Sequence, residues 1–260
     1  MNYCTNVYIM VTSETKTHTF DFSNIFPQCT KDFRWINFTP NDHVAHKLTN
    51  LCSDFNLNHR NSENSAEFSQ RCQLVTYYLE HIRKNKEKIN VEPCCKYFFY
   101  KLKGLFNAYR SYCGSTKLCY EKMQRLSSDM EFKDVISPLF SLCDSNISDA
   151  VEEIFPIFEK IDYTYDNLSL LLSDKRNPSD SKFKNFKSGV NDLERIHHKY
   201  NDSFKELLIL FNKYYLDYVN GLNPDDRSLY AFLSYRRKAG DMTGVLRVIG
   251  KKPQTHAITG

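Results

Sequence analysis

Long hydrophobic runs are missing from this chain, and it has little glycine, little proline and no large excess of charge of one sign. Its 260 residues include eight glycines and eight prolines. No stretch reaches the eighteen or so apolar residues that a membrane-spanning helix needs. The 35 basic and 31 acidic residues are interspersed, and a net charge of +4 is too small to indicate nucleic-acid binding. We therefore expect the chain as written to be soluble, with no nucleic-acid partner.

Aromatic residues, in contrast, are abundant. Nineteen phenylalanines and seventeen tyrosines in a chain poor in glycine favour helices that pack through aromatic side chains. The sequence predicts a mostly α fold, a bundle-like ectodomain of several helices with a loop-rich, cysteine-containing N-terminal part. We expect a single domain over 1–226, with loops and short helices in 1–66 and a helical core in 67–226. Residues 227–260 have little periodic apolar content and are expected to form a poorly ordered tail.

Apolar residues recur at helical spacing along most of the predicted core. The spacing predicts a helix that starts near Glu67, a second one that Pro93 opens, and shorter helices over 118–127 and 131–143. A helix over 148–172 contains Pro156, which should kink it or reset its start. The longest pattern begins at Phe183 and predicts one continuous helix to about Val219, a spine of roughly 55 Å with Phe204 and Phe211 buried.

The nine cysteines all lie in the first 143 residues. This clustering favours disulfides formed in an oxidising compartment, and we predict three or four of them. The odd count leaves at least one thiol free or paired between chains. Cys94 and Cys95 are adjacent, so we expect each to have a distant partner or none. The connectivity stays open, and the candidates are Cys29, Cys52, Cys72, Cys94, Cys95, Cys113, Cys119 and Cys143.

Patterns that indicate catalysis or metal binding are missing from the sequence. It contains no CxxC, GxSxG, HExxH or glycine-rich phosphate loop. His43 and His46 are spaced one helical turn apart without a third ligand, and His197 and His198 are adjacent, so we expect solvated or rim positions for all four. We assign no catalytic residue, no metal ligand and no cofactor, and we expect a protein that is not an enzyme.

One short segment resembles a known sequence box. Cys95, Tyr97, Tyr100 and Leu102 match in register the CxYLxYWL box of Vir-type proteins of the Plasmodium interspersed repeat (PIR) family, with Lys101 where the box has tryptophan. The segments FSNIFPQC, LCSDF and RCQLVTYYLE upstream, and EKIDYTYDNLSLL downstream, are similar to further landmarks of that family. In order, these matches span residues 20 to 220.

The resemblance implies a variant protein that malaria parasites export to or near the infected red-cell surface. It also implies adhesion to host molecules, antigenic variation or immune evasion, and no catalysis; the partners would be host cell-surface proteins or antibodies. Many members lack a standard signal peptide, as the opening stretch here does. Family members often carry a transmembrane helix that this chain does not show, and truncation, splicing and a mis-called exon remain open explanations.

Two other functions compete with this one. The chain could be an intracellular helical scaffold protein with reduced cysteines, or an enzyme whose site the sequence does not reveal. For a displayed protein, we expect recognition within residues 30–66, where Trp35, Phe38 and Phe55 would offer aromatic anchors near polar neighbours.

Overall fold

Helices form most of the chain that the structure describes. The computed structural model describes residues 18–35, 38–59, 65–109, 113–129, 133–144, 150–173 and 180–222. The helices are α1 (His43–His59), α2 (Ser65–Asn85), α3 (Val91–Ala108), α4 (Thr116–Ser127), α5 (Ser137–Ser141), α6 (Ala150–Ser173), α7 (Asp180–Ile196) and α8 (Asp202–Asn220). Those ranges contain no strand, apart from an isolated bridge between His18 and Tyr200. The mostly α prediction is confirmed, and the expected tail at 227–260 lies outside the described residues.

Helix α1 corrects part of the prediction for the N-terminal region. Seventeen residues of helix lie within the segment expected to be loop-rich. Asp42 accepts a hydrogen bond from the Ala45 backbone N–H at 2.8 Å, which satisfies a free donor at the helix start. Three and four residues apart, Leu48, Leu51 and Phe55 are fully buried. Their spacing is the helical signal that the polar composition of the region obscured.

Helices α7 and α8 replace the continuous spine expected from Phe183 to Val219, so that prediction is wrong. A 3₁₀ turn at His197–Lys199 ends α7, and the backbone of Tyr200 is extended. The segment 18–22 occupies the gap: the His18 N–H donates to the Lys199 carbonyl at 3.0 Å, and the Phe22 N–H donates to Ser203 Oγ at 2.9 Å. Hydrogen bonds to a distant part of the chain thus interrupt an apolar pattern that is itself unbroken.

The predicted starts of α2 and α3 and the predicted bounds of α4 agree with the structure to within about two residues. Asn90 caps α3, and Pro93 lies in its first turn. The N–H groups of a first turn have no acceptor within the helix, so a proline there costs no helical hydrogen bond. Helix α6 passes through Pro156 instead of restarting there. The helix expected over 131–143 is reduced to the five residues of α5.

The described residues before α1, which are 18–35 and 38–42, form the N-terminal segment. Aromatic rings fill the interior between this segment and helices α3, α6 and α8. Phe204 and Phe211 are fully buried, as predicted. The ring centroids of Phe22 and Phe204 are 5.3 Å apart, and those of Phe26 and Phe211 are 6.1 Å apart. Offset and edge-to-face pairs at such distances stabilise a core beyond the area that they bury. Phe20, Phe22, Ile25 and Phe26 are therefore part of the core.

Four disulfides cross-link the first 143 residues of the chain. They join Cys29 to Cys94, Cys52 to Cys72, Cys95 to Cys143 and Cys113 to Cys119. All eight candidate cysteines are used, and Cys94 and Cys95 each reach a distant partner, as expected from their adjacency. The bonds tie the N-terminal segment to α3, α1 to α2, and α3 to the end of α5. Among the helices described, none is both long enough and apolar enough to cross a lipid bilayer.

Candidate recognition groove

An open cavity of about 300 Å³ lies between the N-terminal segment and the outer face of α2. We call it the recognition groove. Its volume is at the lower end of the range for pockets that hold small ligands, so it suits one or two side chains of a partner. The groove is lined by Asp32, Phe33, Arg34 and Phe38 from the segment and by Tyr77, Glu80, His81 and Lys84 from α2.

The floor of the groove is aromatic. The Phe33 side chain is nearly buried, and its ring centroid lies 6.0 Å from that of Phe38 and 5.3 Å from that of His81. Phe38 is 37% exposed and lies 6.2 Å from Tyr77. An exposed phenylalanine that is fixed against other rings presents apolar area at low conformational cost to a ligand.

An ion-pair network forms the wall on α2. Arg83 binds Glu80 with two hydrogen bonds of 2.6 and 2.7 Å, and Lys84 lies 3.2 Å from the same carboxylate. Burial alone would raise the pKa of the Glu80 carboxyl, but these two cations outweigh it and hold the pKa below its ordinary value. The Tyr77 hydroxyl donates to Asp42 at 2.6 Å, which joins the helix to the start of α1.

His81 lies at the base of the groove with its ring stacked on Tyr78 at 5.6 Å. Burial lowers the pKa of His81, while the charge of Asp32 and a hydrogen bond with the Lys31 backbone partly offset the effect. A lowered pKa favours the neutral ring at physiological pH. The histidine therefore contributes an aromatic surface and no fixed charge.

Asp32 and Arg34 bring unpaired charges to the rim. Both side chains are exposed, and neither has an ion-pair partner in the part of the chain that the structure describes. The backbone of Asp32 has a φ of 63°, a left-handed conformation that aspartate tolerates better than most residues. The turn at Asp32 places Phe33 inward and leaves the flanking charges in solvent.

The three residues expected to anchor a partner have different positions. Phe38 lies in the groove. Trp35 is half-buried behind it, 5.1 Å from Tyr78 and 5.8 Å from Tyr97, and the part of the chain described offers its indole N–H no hydrogen-bond partner. Phe55 is fully buried between Phe68 and Phe106, so its assignment to a recognition surface is wrong. Its place in α1 turns it toward the core.

Sequence reasoning missed the contribution of α2 to the groove. Tyr77, His81 and Lys84 follow one another at four and three residues, a spacing that places them on one helical face. They lie beside the apolar stripe that buries Tyr78, Leu79 and Ile82. The spacing was visible in the sequence, but the residues that cover this face are 32–34 and 38, and only folding brings them there.

The box that resembles the PIR family is interior. Cys95, Tyr97 and Leu102 are fully buried, and Tyr100 is 7% exposed. The hydroxyls of Tyr97 and Tyr100 donate to the Asp162 carboxylate at 2.7 and 3.1 Å, and Lys101 lies 2.5 Å from the same group. Cys95 adds the disulfide to Cys143. The box therefore joins α3 to α6 and α5, and its residues are unavailable to a partner.

Lys101 fits the interior because aromatic rings surround its charge. Its ammonium lies 4.8 Å from the ring centroid of Trp35, 5.2 Å from that of Tyr97 and 5.4 Å from that of Tyr100. A cation over ring faces is stabilised electrostatically, more strongly where water is excluded. The residue that stands in place of the box's tryptophan is thus an internal ion, paired with Asp162.

Among the described residues, a few other features could be sites of chemistry. A second cavity, of about 140 Å³, lies along α6 and α7 beside Tyr163 and Gly189 and has half the volume of the groove. His43, His46 and His198 are exposed and His197 is half-buried, in line with the expected rim or solvent positions. Within the described ranges, no three His, Cys, Asp or Glu side chains gather in an arrangement that could hold a metal ion. Comparison with family models, with curated proteins and with solved structures finds no match to this chain.

Proposed function

We propose that the chain is an exported or surface-displayed interaction protein of the PIR type that recognises partners and does not catalyse a reaction. The observation that carries this proposal is the pairing of all eight candidate cysteines in four disulfides. Structural disulfides persist in oxidising environments and are rare in a reducing cytosol. A fold with four of them is suited to the outside of a cell.

The contrast between an interior held by many contacts and an exposed rim supports the same function. The box residues hold helices together, so substitutions there would be costly, whereas Asp32 and Arg34 are exposed and unpaired among the described residues. Surface substitutions away from such interior features usually change stability little. A recognition groove with this rim can vary while the scaffold stays the same, as antigenic variation requires.

The partners that fit this proposal are host cell-surface proteins or antibodies. The groove supplies aromatic area and charge on a cross-linked scaffold, the combination by which interfaces gain affinity without a large ordering cost. The second candidate, an intracellular helical scaffold, requires reduced cysteines, and the state of the thiols therefore separates the two.

Thiol trapping tests whether the chain resides in an oxidising or a reducing compartment. Cells that produce the chain are quenched in acid and alkylated, and the isolated chain is analysed by peptide mass spectrometry. We expect Cys29, Cys52, Cys72, Cys94, Cys95, Cys113, Cys119 and Cys143 to escape alkylation until a reductant is added. Alkylation of all nine cysteines without reductant would contradict display and favour the intracellular scaffold.

Binding is tested with the oxidised full chain against panels of red-cell and endothelial surface proteins. Antibodies raised to residues 30–66 should block any interaction that is found, and antibodies to α7 and α8 should leave it intact. The reverse pattern would show that the recognition surface lies elsewhere on the fold.

A further inference from the structure

We propose that the recognition groove binds an acidic peptide segment in which an Asp or Glu side chain stands next to an aromatic one. The inference rests on the proposed function, because it names the ligand class of that recognition site. It follows from three properties of the groove: the hydrogen-bond donors still available, the charge around the rim and the shape of the aromatic floor.

The groove has more free donors than free acceptors. Glu80 is nearly buried, and both of its carboxylate oxygens are already bound by Arg83 and Lys84, so it cannot accept from a ligand. No ion pair among the described residues uses any of the five N–H donors of Arg34. Lys84 pairs with Glu80 at 3.2 Å and lies 3.8 Å from Asp42, which leaves one of its three N–H donors for a ligand, and its side chain is 53% exposed. Two cations thus face the space that a ligand would enter.

The surroundings favour an anionic partner before contact. The turn after α2 exposes Lys86 and Lys88 against one acid, Glu87, and Lys31 is exposed next to the groove on the N-terminal segment. A local excess of positive charge attracts acidic segments over several ångströms and raises their association rate, an effect that salt weakens.

The aromatic floor of the groove explains why the ligand should carry an aromatic residue next to its acidic one. Phe38 is the exposed ring, Tyr77 lies 6.2 Å from it, and Lys84 lies 5.8 Å from the Tyr77 ring centroid. A ligand ring on Phe38 can stack offset or edge-to-face, and a carboxylate on the adjoining residue then comes to Lys84 and Arg34. A volume of about 300 Å³ accommodates two such side chains and no folded element.

Asp32 distinguishes a peptide from a polyanion. Its exposed carboxylate lines the same groove as the two cations and repels densely sulfated or phosphorylated chains, which bring mostly acceptors. A peptide brings backbone N–H donors together with its carboxylate, so it can satisfy Asp32 and Arg34 at once. The mixed rim therefore matches a peptide segment better than a glycan sulfate or a nucleic-acid backbone.

The probe for this proposal is acetyl-Glu-Phe-Glu-amide, with acetyl-Gln-Phe-Gln-amide as its neutral isostere. Both peptides are titrated into the oxidised full chain at low salt, and binding is followed by NMR shifts of the His81 ring and by calorimetry. We expect the acidic peptide to bind about tenfold more tightly than the neutral one, since charge-assisted hydrogen bonds are the stronger kind.

Three variants locate the binding. Arg34→Glu and Lys84→Gln should each weaken the acidic peptide about threefold and leave the neutral peptide unchanged. Lys205→Glu, an exposed lysine on α8 away from the groove, is the matched control and should bind like the parent chain. Since Arg34 has no ion pair among the described residues, the Arg34→Glu variant should have the same melting temperature as the parent chain. An unchanged melting temperature shows that weaker binding is not caused by unfolding.

Equal affinity for the two peptides, or equal weakening by the Lys205 variant, would overturn the proposal. So would tighter, Arg34-dependent binding of a heparin-derived tetrasaccharide. If Arg34→Glu abolishes binding to host-surface proteins while neither peptide binds, the ligand class is wrong and the proposed function stands. If the acidic peptide binds but the eight cysteines are reduced in cells, the function is wrong and the ligand class stands.

Discussion

The ammonium nitrogen of Lys101 lies 2.5 Å from Oδ2 of Asp162, inside the contact between α3 and α6. The two side chains are 18% and 8% exposed. Two tyrosine hydroxyls share the same carboxylate, so Asp162 alone satisfies three buried donors.

Removal of Asp162 should be strongly destabilising. Asp162→Ala leaves the charge of Lys101 and the hydroxyls of Tyr97 and Tyr100 without their acceptor, and we expect a loss of about 3–5 kcal/mol in the free energy of unfolding. Urea denaturation of the oxidised chain measures it. The matched control is Glu159→Ala on the exposed face of the same helix, which should stay within about 0.5 kcal/mol of the parent. Similar losses for both variants would contradict a special role for the cluster.

Two glycines in helix interiors should respond in opposite ways to alanine. A Cβ at Gly189 in α7 would lie 2.2 Å from Thr164 Oγ1, whereas one at Gly104 in α3 would meet only the Phe155 ring at 3.8 Å. Alanine favours a helix over glycine by about 1 kcal/mol, so Gly104→Ala should be neutral or stabilising. We expect Gly189→Ala to destabilise by about 1–3 kcal/mol because α6 and α7 must move apart.

Thermal unfolding of both glycine variants checks this. The additional substitution Thr164→Ala in the Gly189 variant should restore part of the lost stability, since it removes the hydroxyl that is closest. An unchanged melting temperature for Gly189→Ala would show that the two helices do not approach as closely as described.

The four disulfides should differ in their contribution to stability according to the loops that they close. Cys29 and Cys94 are separated by 65 residues, and Cys113 and Cys119 by six. In the chain-entropy description, loss of the first bond costs about 4 kcal/mol and loss of the second about 2 kcal/mol.

Paired serine substitutions at each bond, followed by urea denaturation without reductant, give the two values. We expect removal of Cys29–Cys94 to lower the free energy of unfolding more than removal of Cys113–Cys119. The opposite order would show that native contacts of the small loop outweigh the entropy of the large one.

Asp166 should make the protein less stable as the pH rises. Partial desolvation and the nearby charge of Asp162 raise the pKa of this solvent-accessible carboxyl from 3.8 to about 6, against the opposing effect of Lys101 and Lys182. The native state therefore binds more protons than the unfolded state between these values, and stability is lost as pH increases through about 6. This direction is opposite to that of Asp42 and Glu80, whose carboxyl pKa values are lowered.

Asp166→Asn isolates the effect. The stability difference between this variant and the parent should grow in favour of the variant from about pH 4 to about pH 7, and denaturation at a series of pH values measures it. Glu159→Asn on the same helix serves as control. A constant difference across this range would contradict a raised pKa at Asp166.

Local patterns in the sequence were sufficient for the helices and for the choice of cysteines. Apolar spacing predicted α2, α3, α4 and α6, and the confinement of cysteine to the first 143 residues predicted disulfides. These features depend on residues within a few turns of one another or on composition, which the sequence displays directly. Phe204 and Phe211 were assigned to the core on the same basis.

What depended on distant contacts could not be predicted in this way. The break between α7 and α8 arises where segment 18–22 bonds to Lys199 and Ser203, some 180 residues away. Phe55 turned from a predicted surface anchor into a core residue because α1 packs against α2. The groove likewise exists only where residues 32–34 and 38 cover one face of α2.

Helix spacing and cysteine content are local properties, and they were enough to specify a helical, cross-linked chain with an aromatic interior. The choice of cysteine pairs, the burial of Lys101 and the charges that are left for a partner depend on how the helices pack. Pairing, burial and free hydrogen-bonding capacity are relations between residues far apart in the chain, and they are fixed only when the helices pack.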